Sequence, residues 1–176
     1  MLPNWFEKKV LILGLSISGI SAAKFLNRHG ADVYITEYSD AKPEQSALIK
    51  ELQLMGIKVE TGGHSDEFVK DSYLAVTSPS VPTDSPIMQK LKENKIPFIS
   101  EVELAYSQTG KPFIAITGTN GKTTTTALTA HILDSEFKSV PCGNYGKPPC
   151  DSIDDSSIEY FVCECSSFQL TYSPAF

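Results

Sequence analysis

The densest chemistry in the sequence is Ile116-Thr117-Gly118-Thr119-Asn120-Gly121-Lys122-Thr123-Thr124, in which a glycine loop ends in a lysine and hydroxyl side chains. Backbone N–H groups in such a loop and at the start of a following helix carry partial positive charge and lack intrahelical partners. They can therefore surround phosphate oxygens. Lys122 then suits the β- and γ-phosphates, and the Thr123 hydroxyl suits Mg²⁺. Against the general pattern G-x-x-x-x-G-K-[ST], Ile116 stands where the first glycine is expected. A second candidate is Glu164, in Cys163-Glu164-Cys165-Ser166-Ser167-Phe168-Gln169-Leu170, at the C-terminal end of an apolar run. In open α/β sheets that end faces the ligand crevice, where a carboxylate can hold Mg²⁺ directly or through water; the competing reading is a surface glutamate that merely ends a strand. A third is Gly14-Leu15-Ser16-Ile17-Ser18-Gly19 with Glu37 downstream. Compared with G-x-G-x-x-G, Ser16 replaces the glycine that admits a pyrophosphate, while Glu37 lies near the ribose position. The loop either takes a nucleotide diphosphate or only packs. His29, His64 and His131 have no partner at ligand spacing and read as solvated or packed.

These residues need strands and helices to hold them. Lys9–Leu13 reads as a strand, Gly14–Gly19 as a turn, and Ile20, Ala23, Phe25 and Leu26 as the apolar face of a helix ending near Gly30. Further strands are expected at Val33–Thr36, near Ile57–Glu60, at Tyr73–Thr77 and at Phe98–Ser100. Helices are expected from about Pro43 to Met55 and from Pro86 to Glu93. Ser100 and Glu103 have capping-box spacing for a helix Glu101–Ser107, and 108–112 reads as a linker. A second unit then opens with strand Phe113–Thr117, the glycine loop, and a helix from Thr123 to about Leu133. A loop Cys142–Cys150 and a strand Tyr160–Cys165 follow. The alternation predicts an α/β protein: a Rossmann-like parallel-sheet domain at residues 1–107, then the start of a P-loop-type α/β ATPase domain at 108–176.

The 176 residues suit one domain, or one plus part of a second. With 41% apolar and 20% charged residues and no apolar run of membrane-spanning length, no membrane association is expected. No export signal precedes the first strand, so the cytoplasm is the expected location and a monomer the expected state. A formal charge of -6 argues against nucleic acid as a partner. Cys142, Cys150, Cys163 and Cys165 lack paired C-x-x-C spacing and read as core packing rather than a zinc site.

Gly118-Thr119-Asn120-Gly121-Lys122-Thr123-Thr124 resembles the ATP loop of the Mur ligases, which tolerates the missing first glycine. Gly143-Asn144-Tyr145-Gly146 and the run Glu164 to Leu170 are similar to the branch that adds D-glutamate. The likeness continues through Ser78-Pro79-Ser80-Val81-Pro82 and Ser100-Glu101-Val102-Glu103-Leu104-Ala105. The resemblance implies an ATP-dependent amide ligase of peptidoglycan-precursor synthesis, serving the cell wall and through it cell shape and division. It implies ATP and Mg²⁺ as cofactors, and UDP-N-acetylmuramoyl-L-alanine and D-glutamate as substrates joined through an acyl phosphate. Carried over by motif, Gly118 to Thr124 bind ATP, and Thr123 with Glu164 binds Mg²⁺. Ile17 and Ser18 meet the UDP portion, Glu37 and Tyr38 the uracil end, Ser80 the edge of that pocket, and Asn144 the substrate. No protein nucleophile is implied. Ser16 and Ser80 stand where glycine is usual, Tyr38 replaces a small polar residue, and Cys142 and Tyr145 alter Gly-Gly-Asn-Ile-Gly.

The family places further metal-binding residues and the D-glutamate domain beyond the segment matched here. The expectation is therefore a truncated chain, inactive by itself and without the D-glutamate site. Two other classes stay in view, a non-catalytic nucleotide-binding module and a nicotinamide-dependent oxidoreductase built on the first domain.

Overall fold

Buried parallel strands have helices on both faces, so their sequences are continuously apolar rather than alternating. Lys9–Leu13 (β1) follows that rule, with Val10, Leu11, Ile12 and Leu13 all at 0% exposure. The structure, a computed structural model, describes residues 4–176 and divides into two units, Asn4–Ile99 and Ser100–Phe176.

In the first unit β1 is followed by Ile17–Arg28 (α1), Asp32–Glu37 (β2), Ser46–Leu54 (α2) and Lys58–Thr61 (β3). Asp66–Val69 (α3), Leu74–Thr77 (β4), Pro86–Glu93 (α4) and Phe98–Ser100 (β5) complete it. The five strands lie in the order β3-β2-β1-β4-β5. β1 pairs in parallel with both β2 and β4, and β2 with β3. The chain runs outward from β1 to β3 and then crosses to β4 on the other side of β1. That reversal opens a crevice at the C-terminal ends of β1 and β4, where α/β sheets take ligands. α1 buries Ala22, Ala23, Phe25 and Leu26, the side of the helix that the apolar spacing marks.

The second unit consists of Glu101–Ser107 (α5), Phe113–Ile116 (β6), Lys122–Leu133 (α6), Ser139–Gly143 (β7), Tyr160–Glu164 (β8) and Ser167–Thr171 (α7). A 3-10 turn spans Pro149–Asp151. β8 is central in a parallel sheet ordered β6-β8-β7, and its Phe161, Val162, Cys163 and Glu164 are buried. α6 presents Leu128 and Ile132 to solvent.

The architecture is the expected α/β arrangement of parallel sheets, with three local differences. β7 begins before, and runs into, the stretch expected to be a loop from Cys142. Pro141 and Gly143 disguise it, yet an edge strand tolerates a proline because one row of its backbone groups needs no partner. The short helices α3 and α7 have too few turns to show a period. The third concerns α5, which groups with the second unit, so the division falls at Ile99/Ser100 rather than after Ser107. Ser100 N–H donates to the Tyr172 carbonyl at 2.8 Å, and Glu101 Oε1 accepts Cys150 N–H at 2.8 Å. Of the expected capping box only half forms. Ser100 Oγ accepts Glu103 N–H at 3.0 Å, but the Glu103 carboxylate accepts the Ala175 and Phe176 N–H groups at 3.1 and 3.0 Å.

Glu101 is 3% exposed, and burial pushes its carboxyl up to about 7 against the lowering effect of the Cys150 N–H. The folded value lies above the unfolded one. The associated stability is therefore fully present below the unfolded value of 4.5 and is lost as pH rises through about 7. Glu101→Gln keeps an acceptor for Cys150 without the charge. In chemical denaturation it should be more stable than the parent at about pH 8, by up to roughly 3 kcal/mol, and little changed at about pH 5. A loss of stability at the higher pH would contradict this account.

All four cysteines are free and buried. The adjacent Cys142 thiol and burial push the Cys163 thiol up, and the adjacent Cys163 thiol and burial push Cys165 up. Thiolate is the reactive form. A thiol-specific chromogenic reagent near neutral pH should therefore label none of the four in the native chain, and all of them in denaturant.

Candidate functional site

The second-unit site follows from strand register. Ile116, Glu164 and Gly143 are neighbours across β6, β8 and β7, so the three strands end at one level and their loops emerge together. Cys165 N–H donates to the Ile116 carbonyl at 2.8 Å and Asn144 N–H to the Glu164 carbonyl at 2.9 Å, which ties the first residues of two loops to the neighbouring strand ends. Gly143 has φ +87°, and a Cβ on it would lie 2.4 Å from the Glu164 carbonyl oxygen, so only glycine lets the backbone pass this close.

Side chains converge on Glu164, which is 2% exposed. Thr123 Oγ1 donates to one carboxylate oxygen at 2.8 Å, and Asn144 Nδ2 donates to the other at 3.1 Å. Both donors are neutral, so these two hydrogen bonds bring no cation to the carboxylate. A hydroxyl and a carboxylate in contact form a hard-oxygen pair that suits Mg²⁺ rather than a soft metal. The residues present thus fit the cation expected beside a phosphate loop. The loop runs over the start of α6, with Gly121 at its N-cap. Lys122 Nζ donates to the Gly118 carbonyl at 2.9 Å, folding the lysine back over the loop. Gly118, Thr119, Asn120 and Gly121 form the loop, and Lys122, Thr123 and Thr124 the first turn of α6. The Ser-Ser-Phe-Gln run behind Glu164 is a capping box for α7. Ser166 Oγ accepts Gln169 N–H at 3.2 Å and Gln169 Oε1 accepts Ser166 N–H at 2.9 Å. The spacing S-x-x-Q is the signal that could have revealed it.

In the first unit a cavity of about 380 Å³ sits at the strand ends, lined by Gly14, Glu37, Tyr38, His64 and Ser80 among others. Its size falls in the usual range for small-molecule sites, about 300–1,000 Å³. Ser16 caps α1 by accepting Gly19 N–H at 3.1 Å, and its hydroxyl lies 3.2 Å from that of Ser18. Gly19 must lack a side chain, since a Cβ there would lie 2.5 Å from the Gly14 carbonyl. Glu37 braces two loops, accepting Leu15 N–H at 3.0 Å and Ser39 N–H at 3.1 Å. Ser80 and Ser78 hydroxyls are 3.0 Å apart.

Of the residues expected around a UDP group, Glu37, Tyr38 and Ser80 line this cavity together. Ile17, 78% exposed, and Ser18 stand in the first turn of α1 and are not on the lining. Asn144 belongs to the second unit and bonds to Glu164. Sequence reasoning passed over His64. Its ring lies in the cavity wall, with Nδ1 2.7 Å from Thr36 Oγ1 and the ring 6.0 Å from that of Tyr38. Nothing in local spacing marks it, because Thr36 lies in β2 and His64 in the loop after β3.

A glycine-lysine-threonine loop between a parallel strand and a helix, facing a strand-end carboxylate, resembles the phosphate loops of nucleotide-binding α/β proteins. Sequence comparison narrows the class. Residues 8–100 match the Mur ligase MurD-like N-terminal domain and residues 116–174 the Mur ligase middle domain, so the chain belongs to the Mur ligase family. Over 168 residues it is 42% identical to the UDP-N-acetylmuramoylalanine–D-glutamate ligase of Bacillus thuringiensis (strain Al Hakam), and equally to that of Bacillus cereus (strain B4264). Each match covers 93% of this chain, which spans 37% of the relative's length. Among solved structures, a pseudomurein peptide ligase type C from Methanothermus fervidus superposes with TM-score 0.53 at 25% identity, over 90% of this chain and 33% of that one. The UDP-N-acetylmuramate:L-alanyl-gamma-D-glutamyl-meso-diaminopimelate ligase from Neisseria meningitides shares the fold, with TM-score 0.56 at 20% identity, over 90% of this chain and 52% of that one. No helix among the described residues is long and apolar enough to cross a membrane.

Gly143→Ala tests the strand-end geometry. The added methyl must push β7 from β8 or the backbone out of its positive φ, at a cost of roughly 1–3 kcal/mol. The melting temperature should fall as β7 and β8 are forced apart. An unchanged melt would show that the close approach constrains nothing.

Proposed function

We propose that the protein is an ATP-dependent ligase of peptidoglycan-precursor synthesis that adds D-glutamate to UDP-N-acetylmuramoyl-L-alanine. The observation that carries the reading is the Thr123–Glu164 contact at 2.8 Å beside the phosphate loop, at the aligned ends of β6 and β8. The 42% identity to curated D-glutamate ligases supports the choice of amino acid.

In the proposed reaction an oxygen of the substrate carboxylate attacks the γ-phosphorus of ATP. The bond from that phosphorus to the β–γ bridging oxygen breaks, giving an acyl phosphate and ADP. The amine nitrogen of D-glutamate then attacks the acyl carbon, inorganic phosphate departs, and the nitrogen gives up a proton. The protein forms no covalent bond in either step. Its contribution is position and charge stabilisation. Backbone N–H groups of Gly118 to Thr124 surround the phosphates, and Lys122 swings from the Gly118 carbonyl to the β- and γ-phosphate oxygens. Thr123 and Glu164 would hold Mg²⁺, which would supply positive charge to offset that of the phosphates. Asn144 bonds to Glu164 and meets the substrate. In the first unit the start of α1, with Ile17 and Ser18, receives the diphosphate, and the cavity at Glu37, Tyr38 and Ser80 receives the uridine.

Calorimetric titration with UDP-N-acetylmuramoyl-L-alanine and separately with Mg-ATP tests both sites. Saturable binding of each is expected, with no response to NAD. Lys122→Ala should weaken Mg-ATP at least about tenfold and leave the UDP compound unaffected. A folded protein that binds neither ligand would overturn the proposal.

A further inference from the structure

We infer that Asn120 is a site of spontaneous deamidation, and that the carboxylate formed there closes the phosphate loop to nucleotide. The chemical step stands on the geometry of the loop itself. Its consequence rests on the ATP reading above and deepens it into a form of regulation.

An asparagine loses its side-chain amide when the backbone nitrogen of the next residue attacks Cγ. The attack is favoured where that nitrogen is uncrowded and free of hydrogen bonds, and where the side-chain amide can turn. Asn120-Gly121 is the one Asn-Gly pair in the sequence. Gly121 brings no side chain, and a Cβ built on it would meet no atom beyond the adjacent residues within 4 Å, so the approach to its nitrogen is open. The Gly121 N–H lies at the N-cap of α6, outside the helical ladder, and donates to no group among the described residues. Both residues are exposed.

The other asparagines supply the contrast. Asn4 Oδ1 accepts Phe6 N–H at 3.0 Å, Asn27 Nδ2 donates to the Met55 carbonyl at 3.2 Å, Asn94 Nδ2 to the Lys90 carbonyl at 2.8 Å, and Asn144 Nδ2 to Glu164 at 3.1 Å. They are followed by Trp5, Arg28, Lys95 and Tyr145, whose side chains crowd the attacking nitrogen. Among the described residues the Asn120 side chain makes no such bond, so its amide is free to turn. A loop that fits round a phosphate keeps its N–H groups unpaired until nucleotide arrives, and uses glycine to let the backbone approach. The features that suit ATP thus leave the asparagine reactive in its absence.

The step balances with water as the only other reactant. The Gly121 nitrogen gives up its proton and bonds to Asn120 Cγ. The Cγ–Nδ2 bond breaks, and ammonia leaves with that proton, which closes a cyclic imide. Water then adds at one of the two imide carbonyls, and the bond from that carbon to the Gly121 nitrogen breaks. Opening at Cγ gives aspartate. Opening at the Asn120 backbone carbonyl gives isoaspartate, whose main chain runs through Cβ and Cγ and is longer by one carbon. Either product carries a carboxylate.

That carboxylate stands in the loop whose N–H groups would face the phosphates. It repels phosphate oxygens and offers Lys122 a competing partner. The isoaspartate also lengthens the loop that Lys122 Nζ spans in reaching the Gly118 carbonyl at 2.9 Å. Bound nucleotide acts in the opposite direction, because a phosphate oxygen that accepts the Gly121 N–H ties up the attacking nitrogen. Occupied protein keeps its amide, and unoccupied protein loses it.

The test is incubation of the protein in mildly alkaline buffer, alone and with Mg-ATP, beside a synthetic peptide of residues 116–124. Peptide mapping by mass spectrometry reads the exchange of NH for O at each asparagine. Labelling by an isoaspartyl methyltransferase reads the rearranged product, and calorimetry reads Mg-ATP affinity. Asn120 should convert over the interval in which the peptide does, while Asn4, Asn27, Asn94 and Asn144 stay intact. Mg-ATP should slow the conversion several-fold, and Mg-ATP binding should fall in step with the amide content. Asn120→Asp should bind Mg-ATP at least about tenfold more weakly than fresh parent. Asn120→Gln, whose longer side chain cyclises far more slowly, should hold its starting affinity throughout. An Asn120 still intact after the peptide has converted, or earlier conversion at another asparagine, would overturn the site. Conversion at Asn120 with unchanged Mg-ATP affinity would overturn its effect on the loop. Conversion at Asn120 in a protein that does not bind Mg-ATP even when fresh would remove the ATP reading and leave the modification site standing.

Discussion

A carboxylate buried to 2% exposure needs hydrogen bonds at both oxygens, and Glu164 obtains them from two different loops. Thr123 comes from the first turn of α6, behind the loop after β6, and Asn144 from the turn after β7, while Glu164 itself ends β8. None of these contacts forms unless Ile116, Glu164 and Gly143 share one level in the sheet. Parallel pairing supplies that level, because all strands point the same way and end at the same edge. The close passage of Gly143 against the Glu164 carbonyl completes the arrangement. The phosphate loop, the metal-suited oxygen pair and the capped start of α7 are thus consequences of one register. The first unit uses the same principle at the ends of β1, β2 and β4, with Glu37 in the bracing role.

Much of this was legible in the sequence for a physical reason. Short apolar runs such as Lys9–Leu13 and Tyr160–Glu164 suit strands buried on both faces, and glycine followed by a helical period marks their ends. The glycine loop accordingly stands between β6 and α6, and Glu164 at the end of β8. What stayed hidden depends on contacts between distant residues. β7 carries Pro141 and is revealed as a strand only by its partner β8. α5 groups with the second unit because Glu101 meets Cys150 and Ser100 meets Tyr172, pairings that no local pattern records. His64 joins the cavity through Thr36, across 28 residues of sequence.

The departures from the family pattern alter the first-unit loops in a consistent direction. Glycine would leave bare backbone at the start of α1 in place of Ser16, and on the cavity wall in place of Ser80. Serine puts a hydroxyl there, and in both places that hydroxyl is already paired with another serine, Ser18 in one case and Ser78 in the other. A paired hydroxyl is pre-oriented and can still accept or donate once more, so it replaces backbone contact with side-chain contact at small entropic cost. Tyr38 extends the same trend, since an aromatic ring 73% exposed beside the cavity offers a face against which a planar base can lie. The bland polar rim expected from the family becomes one of hydroxyls and rings. The pocket rim is thus built of fixed side-chain groups where a glycine-lined loop would leave backbone bare.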